Sequence, residues 1–260
     1  MKVLVLGCGP AGLVATWAAE QRGGTEVVIL SRKRPSPLYG CQYLHQPIPD
    51  LTVASVEVDY RLNGTCEQYA RKVYGVETPT VSPQLYDRPH PAWDLRGAYA
   101  WLWNRYEDLI VEAELTALNI HAVMTDFKPD RVVVAVPRPV LCQAGGEHLF
   151  RSQRCWAIGD ALELGQEIPY RCPENTVLCD GTSEMSWYRL AKVFGFGSVE
   201  WSSLQRKPPI SGVVSFQKPL STTCNCWPDW HFVGRYGRWQ KGVLVHDAYG
   251  ETLEYLNEKI

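Results

Sequence analysis

The sequence predicts an α/β protein, with a parallel nucleotide-binding type of sheet built from the two chain ends and a mixed, sheet-rich α+β region inserted between them. Three stretches carry that prediction. Val3-Leu-Val-Leu-Gly-Cys-Gly-Pro-Ala-Gly12 is an apolar run that turns through Gly7, Gly9 and Gly12 into the alanine-rich helical pattern Leu13 to Arg22. Glu26-Val-Val-Ile-Leu30 then closes a βαβ unit of about thirty residues. At the other end, His231-Phe-Val-Gly-Arg235 reads as a short strand stopped by glycine, and Val243 to Lys259 has the apolar spacing of an amphipathic helix. A final strand and helix of this kind can return to the first sheet and complete it.

The glycines of the opening loop have distinct tasks in a Rossmann-like unit. Gly7 makes the tight turn out of the strand, Gly9 leaves room for a pyrophosphate against the backbone, and Gly12 lets the helix pack closely on the sheet. Pro10 and Ala11 open the helix, whose N-terminal N–H groups and partial positive charge favour phosphates.

The remaining elements follow in order. Pro35 to Pro49 is too proline-rich for regular structure, and alternation resumes from Leu51 to Asp59. Residues 64–75 and 94–107 read as helices, separated by a proline-broken loop at 78–91. After a short apolar segment, Ile120 to Met124, the β-branched run Arg131-Val-Val-Val-Ala-Val-Pro137 reads as a buried strand with a proline stop. Further strands are expected at 154–159, 176–180, 198–202 and 211–217, and a helix over Ser186 to Phe194. The dinucleotide-binding part thus takes in 1–50, 219–260 and part of 120–160, with 51–119 and 161–218 as the inserted substrate region.

Composition narrows the function classes. Hydrophobic content of 45% with 21% charged residues belongs to a globular chain, and a net charge of −2 gives no overall pull toward nucleic acid or membrane. The first strand begins at residue 2 and no apolar run reaches membrane-helix length, which predicts a cytosolic protein with no membrane partner. Nine cysteines, an odd number without a repeated spacing, fit reduced thiols better than a disulfide framework. Cys224 and Cys226 form a Cys-x-Cys pair, but without a second pair or a histidine cluster beside it in sequence no metal site is assigned. Ten tryptophans and 13 tyrosines serve a core, and also suit a pocket for a flat ligand.

Gly-Cys-Gly-Pro-Ala-Gly-Leu, with proline and alanine between the second and third glycines, resembles the start of flavoproteins related to glutathione reductase, the amine oxidases and UDP-galactopyranose mutase. Phe232-Val-Gly-Arg-Tyr-Gly-Arg-Trp239, followed by Asp247-Ala248, is similar to the closing flavin-contacting strand and helix of the mutase branch. Gly40-Cys-Gln-Tyr-Leu-His45 occupies the place of that branch's glycine-rich loop and histidine, and Val132 to Pro139 resembles a strand ending in Ala-Val-Pro-Arg-Pro. The resemblance implies FAD as cofactor, with Gly234, Arg235, Val243 and Leu244 as flavin contacts. It implies His45 near the flavin ring.

The sequence also departs from that pattern. An acidic residue that binds the adenosine ribose usually ends the second strand, whereas here Ser31 is followed by Arg32, Lys33 and Arg34. A serine followed by cations is also what an NADP 2′-phosphate needs. Trp156-Ala-Ile-Gly-Asp160 resembles a Gly-Asp flavin motif, but a plain strand and turn is preferred because Gly234-Arg235 is better placed.

The expected catalytic groups are His45, a hydrogen-bond donor or proton shuttle with a pKa near neutrality, and Arg189, a clamp for phosphate or carboxylate. Trp187, Tyr188, Arg238 and Trp239 complete the substrate candidates, the first two as stacking residues beside the Asp180-Gly-Thr182 turn. The resulting expectation is a flavin-dependent oxidoreductase acting on an amine or a nucleotide-like substrate, extending to an oxidative lyase in nucleic-acid base modification, with nucleic acid as a possible partner. A mutase-like non-redox flavoenzyme, an NADP-dependent reductase and a nucleotide-binding regulator without turnover stand beside it.

Overall fold

The computed structural model describes residues 1–76, 83–159 and 172–258. Strand β1 (Lys2–Leu6) leads through the glycine loop into α1 (Pro10–Arg22), and β2 (Glu26–Ser31) returns beside β1. Its alternation explains how one strand serves two layers. Val3 and Val5 face the core formed with α1, while Leu4 and Leu6 face the opposite core.

The first sheet is parallel throughout and also takes in β5 (Ile110–Glu112), β6 (Arg131–Val134) and β12 (His231–Phe232), in the order β12-β6-β1-β2-β5. On one face lie α1, α3 (Leu95–Tyr106) and α6 (Asp247–Asn257), through Leu13, Ala18, Tyr99, Leu102 and Leu256. On the other lies α4 (Ile120–Phe127) with Leu115, Ile120 and Phe127. Because β2 lies on one side of β1 and β6, reached from β5 through α4, lies on the other, the sheet has a switch point at the carboxyl ends of β1 and β6.

The second sheet has the order β11-β7-β10-β9-β8-β3-β4. It is made of β3 (Ser55–Asn63), β4 (His90–Trp93), β7 (Phe150–Gly159), β8 (Thr176–Asp180), β9 (Arg189–Val193), β10 (Phe196–Ser202) and β11 (Val214–Thr222), with α2 (Cys66–Tyr74) on one face. All its pairings are antiparallel except β3 with β8. Thr65 caps α2 with a reciprocal capping box to Gln68, and Gly75 ends it in the left-handed conformation.

Several sequence expectations change here. The helix expected over Ser186 to Phe194 is β9, because Phe194 (φ 54°) and Gly195 (φ 74°) form a two-residue hairpin turn that pairs Val193 with Phe196. Ile120 to Met124 begins a helix. The strand expected through Arg235 stops at Phe232, and Gly234 to Arg238 form the short helix α5. The closing helix starts at Asp247 rather than Val243. α3 and β5 fall in the first layer, and β7 in the second sheet. Trp156 to Gly159 end β7 as plain strand, while Asp160, residues 161–171, part of the 78–91 loop and Lys259 lie outside the described residues.

A buried charge network locks the second sheet to the loop after β2. The Glu200 carboxylate accepts from Lys218 Nζ at 2.7 Å, Tyr188 Oη at 2.6 Å, Arg189 Nε at 2.6 Å and the Cys41 amide at 3.2 Å. Gly40, at φ 75°, is required there, since a Cβ would lie 2.7 Å from Glu200 Oε1. Burial alone would raise the Glu200 pKa, but Arg189 and Lys218 outweigh it and hold the pKa at about 2. A second buried pair, Lys72 with Asp180 at 2.6 Å, fixes α2 on β8.

Replacing Glu200→Gln leaves two buried cations without their anion and is expected to destabilise the fold by about 3–5 kcal/mol in urea unfolding. Since the folded-state pKa lies below the unfolded value of 4.5, the contribution is complete above that pH and is lost as pH falls toward 2. The stability gap between wild type and variant should therefore shrink over that interval and be constant above it.

Candidate functional site

The carboxyl ends of β1, β2, β6 and β12 gather the opening glycine loop, Ser31 and the Gly234 turn on one side of the molecule. Gly7 (φ 107°) bonds its amide to Leu30 O at 2.8 Å, and the amides of Ala135 and Val136 both bond to Leu6 O. A Cβ on Gly12 would lie 2.0 Å from Gly7 O, so α1 can meet the loop only with glycine there. Gly9 is different. Its φ of −69° suits any residue, and an added Cβ would meet only Ser36 Oγ at 3.4 Å. The protein's own packing therefore does not require glycine at position 9, while a ligand approaching the backbone would.

The amino terminus of α1 fits an anion. Gly9 supplies no side-chain cap, Pro10 starts the helix without an N–H, and the first turn holds no acidic residue. Against it stands the other end of the chain. Gly234 (φ 68°) follows β12, and its ideal Cβ position lies 2.4 Å from Ala11 Cβ. A Cβ on Gly237 would likewise lie 2.5 Å from Val134 O. Arg235 donates to Pro219 O through Nε and Nη2, tying α5 to the bulge in β11.

The adenosine-side candidates sit at the end of β2. Ser31 Oγ accepts from the Cys8 thiol at 3.1 Å, and Arg32 pairs with Glu114, which follows β5. Lys33 is exposed, with its amide bonded to Ser31 O. Tyr99 on α3 braces this loop by donating to Cys8 O at 3.0 Å and accepting from the Ser36 amide at 2.8 Å.

His45 packs its ring on Tyr43 at 4.8 Å and faces His246 at 6.4 Å, although the residue is exposed to solvent. The surrounding protein, then the positive charges of His246 and Arg189, lower its pKa to about 4. This corrects the expected near-neutral value: at neutral pH His45 is uncharged. His246 is buried, and its Nδ1 has no hydrogen-bond partner among the described residues. Val243 is buried and Leu244 half-exposed in the segment just before it, with the Leu244 amide bonded to Asp247 Oδ2 at 2.8 Å. An open Gly9 and a helix amino terminus without a side-chain cap fit an anionic ligand.

Other expected substrate groups are placed in the scaffold. Trp187 and Tyr188, 6% and 0% exposed, lie inside the second sheet's cores, so neither offers an open face for stacking. Arg189 is engaged by Glu200, and its positive charge helps to lower the His45 pKa. Trp239 is buried, with Nε1 donating to Arg151 O at 3.1 Å and its ring edge-on to Phe150. Arg238 pairs with Glu251 at 2.8 Å and donates to Phe232 O. Asp180-Gly-Thr182 serves packing, with Gly181 pressed on the Tyr69 amide.

Sequence reading missed Tyr99, Glu200, Lys218, Glu114 and His246. Each acts on a partner distant in sequence, and only for His246 was there a local signal, its place beside the recognised Asp247-Ala248. A cavity of about 340 Å³ lined by Lys128, Asp130, Arg131 and Tyr255 lies at the amino end of β6, away from this site.

No family model and no curated protein matches the sequence. Among solved structures, reduced UDP-galactopyranose mutase is similar at TM-score 0.59 and 11% identity, over 98% of this chain and 94% of that one. Weaker likenesses, both at 11% identity, are tetrameric 2-methyl-3-hydroxypyridine-5-carboxylic acid oxygenase (TM-score 0.48, 96% and 85% covered) and a Klebsiella pneumoniae HpxO variant complexed with FAD (0.47, 100% and 82%). Such identity transfers architecture and not substrate. The parallel sheet with its glycine loop, the mixed second sheet and the mutase likeness together show that this chain has a fold similar to that of UDP-galactopyranose mutase.

Proposed function

We propose that the chain binds FAD across the carboxyl ends of β1 and β6 and is a flavin-dependent oxidoreductase. The observation that carries this reading is the seating of Gly234 on Ala11, which joins the closing turn to an uncapped helix amino terminus. Gly7, Gly9, Pro10, Ala11 and Gly12 would hold the pyrophosphate, while Gly234, Arg235, Val243 and Leu244 would border the flavin. Ser31, Arg32 and Lys33 would meet the adenosine end. The carboxylate missing from the end of β2 is available there from Glu114, whose pairing with Arg32 also gives that cation a partner other than an NADP 2′-phosphate.

Bound FAD would supply the redox chemistry, leaving the protein to position substrate, exclude water and tune protons. Neutral His45 suits a hydrogen-bonding role toward the substrate or cofactor, and a low pKa makes it an acceptor of protons only in acid. Arg189, whose charge acts on His45, and Lys218 share the single carboxylate of Glu200, so this buried cluster carries one excess positive charge. That excess supports an anionic substrate, and the finer reading is oxidation of a carbon–nitrogen bond in an amine or nucleotide-like molecule, including an oxidative lyase acting on a modified base. A mutase-like reaction without net electron transfer is the second reading, favoured by the fold likeness at TM-score 0.59.

The purified protein is expected to be yellow, with a flavin visible spectrum bleached anaerobically by substrate without added reductant. A colourless protein that binds NADPH and not FAD would overturn the cofactor. Activity confined to chemically reduced enzyme would establish the mutase reading, and binding without turnover across amines and nucleotides would leave a regulator.

Two variants separate ligand space from protein packing. Gly9→Ala is expected to lower flavin content at least tenfold with only a small drop in the melting temperature of the flavin-free protein, since an added Cβ meets nothing nearer than Ser36 Oγ at 3.4 Å. Gly234→Ala, strained at φ 68° and blocked by Ala11, should lose both stability and flavin.

For His45→Gln, the rate should fall by an order of magnitude or more while the shape of its pH profile between about pH 6 and 8 stays that of wild type, because the imidazole does not titrate there. Disappearance of a near-neutral inflection on this substitution would contradict the assignment.

A further inference from the structure

Away from the nucleotide end of the site, four side chains meet where the chain crosses between its two sheets. Cys142 follows the 3-10 turn Arg138–Leu141 after β6, and His148 stands two residues before β7. Cys224 and Cys226 lie in the return crossing from β11 to β12. The three Sγ atoms and a ring nitrogen of His148 all lie within 4.8 Å of one another. His148 Nδ1 is 3.4 Å from Cys142 Sγ and 3.7 Å from Cys226 Sγ.

Those separations match a metal centre. With Zn–S near 2.3 Å and Zn–N near 2.0–2.1 Å, a tetrahedral ion holds its sulfur and nitrogen ligands about 3.6 Å apart. All of these cysteines are free thiols. We propose that Cys142, His148, Cys224 and Cys226 bind one zinc ion that clamps the two crossings together. Three thiolates and an imidazole fill the tetrahedron, which makes the site structural, and such a soft donor set selects zinc over hard cations.

The local chain is built for this convergence. Gly145 (φ 57°) and Gly146 (φ 109°) reverse the backbone between Cys142 and His148, with Glu147 N bonded to Ala144 O. Leu149 and Thr223 exchange backbone and side-chain hydrogen bonds, which brings the two crossings side by side. The Cys224 amide bonds to Thr222 Oγ1 at 3.0 Å, turning that thiol inward to 8% exposure. Zn²⁺ with three thiolates leaves one net negative charge, and Arg138, donating to Cys226 O at 3.5 Å, supplies a neighbouring positive one. The Cys-x-Cys pair that was insufficient in sequence thus gains its third and fourth ligands from a segment far upstream.

The test is elemental analysis of the full chain purified from zinc-supplemented medium, where about one zinc per chain is expected. Cys226→Ser and His148→Ala should each lower that content at least tenfold, and His148→Cys should retain it. Because a cysteine variant can fail to fold, wild-type protein is also stripped with a chelator. Its melting temperature should then fall and recover with zinc but not magnesium, and added cobalt should give the intense visible absorption of a tetrahedral thiolate site. Wild-type protein that takes up no zinc, that carries iron there instead, or that shows a disulfide among these three cysteines by mass spectrometry overturns the proposal.

Discussion

The rest of this structure depends on close backbone approach at the carboxyl ends of β1 and β6. Gly12 against Gly7 O, Gly234 against Ala11 and Gly237 against Val134 O are three contacts in which any Cβ would meet an atom at 2.0–2.5 Å. They bring α1 down onto the sheet and set the last strand and α5 beside the first loop. The amino terminus of α1 is thereby left uncapped at the one place where the sheet's crossovers diverge. A steric constraint on glycine thus also shapes the place where we propose that an anion binds.

A second constraint positions what surrounds that site. Glu200, 1% exposed, binds two cations, a tyrosine hydroxyl and the Cys41 amide, and so draws the proline-rich loop onto the second sheet. Arg96 reinforces it by donating to the carbonyls of Leu38 and Gly40. The loop then carries Tyr43, Leu44 and His45 to the boundary between the layers, where Leu44 bridges to Trp93. Proline content prevents the loop from forming regular structure, and the charge network supplies the order that hydrogen-bond ladders cannot.

Much of the first layer was legible locally. The strand, loop and helix at 2–22, the return at β2, the buried run of β6 and the helix near the end all carry their own apolar periodicity or glycine signature. β9 was misread because Ser186 to Phe194 has no decisive period, and its conformation follows from partners on both sides, β8 and β10. Trp187 and Tyr188 looked like ligand-stacking residues for the same reason: their spacing does not tell a core from a pocket wall.

What the sequence by itself determined is therefore the set of positions where a backbone must turn or approach closely, and the helix and strand periods on either side of them. These depend on neighbours within a few residues. Only the tertiary structure decided which charges and thiols meet: Glu200 with Cys41, His45 with His246, and Cys142 and His148 with Cys224 and Cys226. Those encounters depend on how two sheets stack and where the chain crosses between them, and a linear pattern carries no record of separation in space. The same distinction explains why a strand, glycine loop and helix could be read from ten residues, whereas the wall opposite them could not.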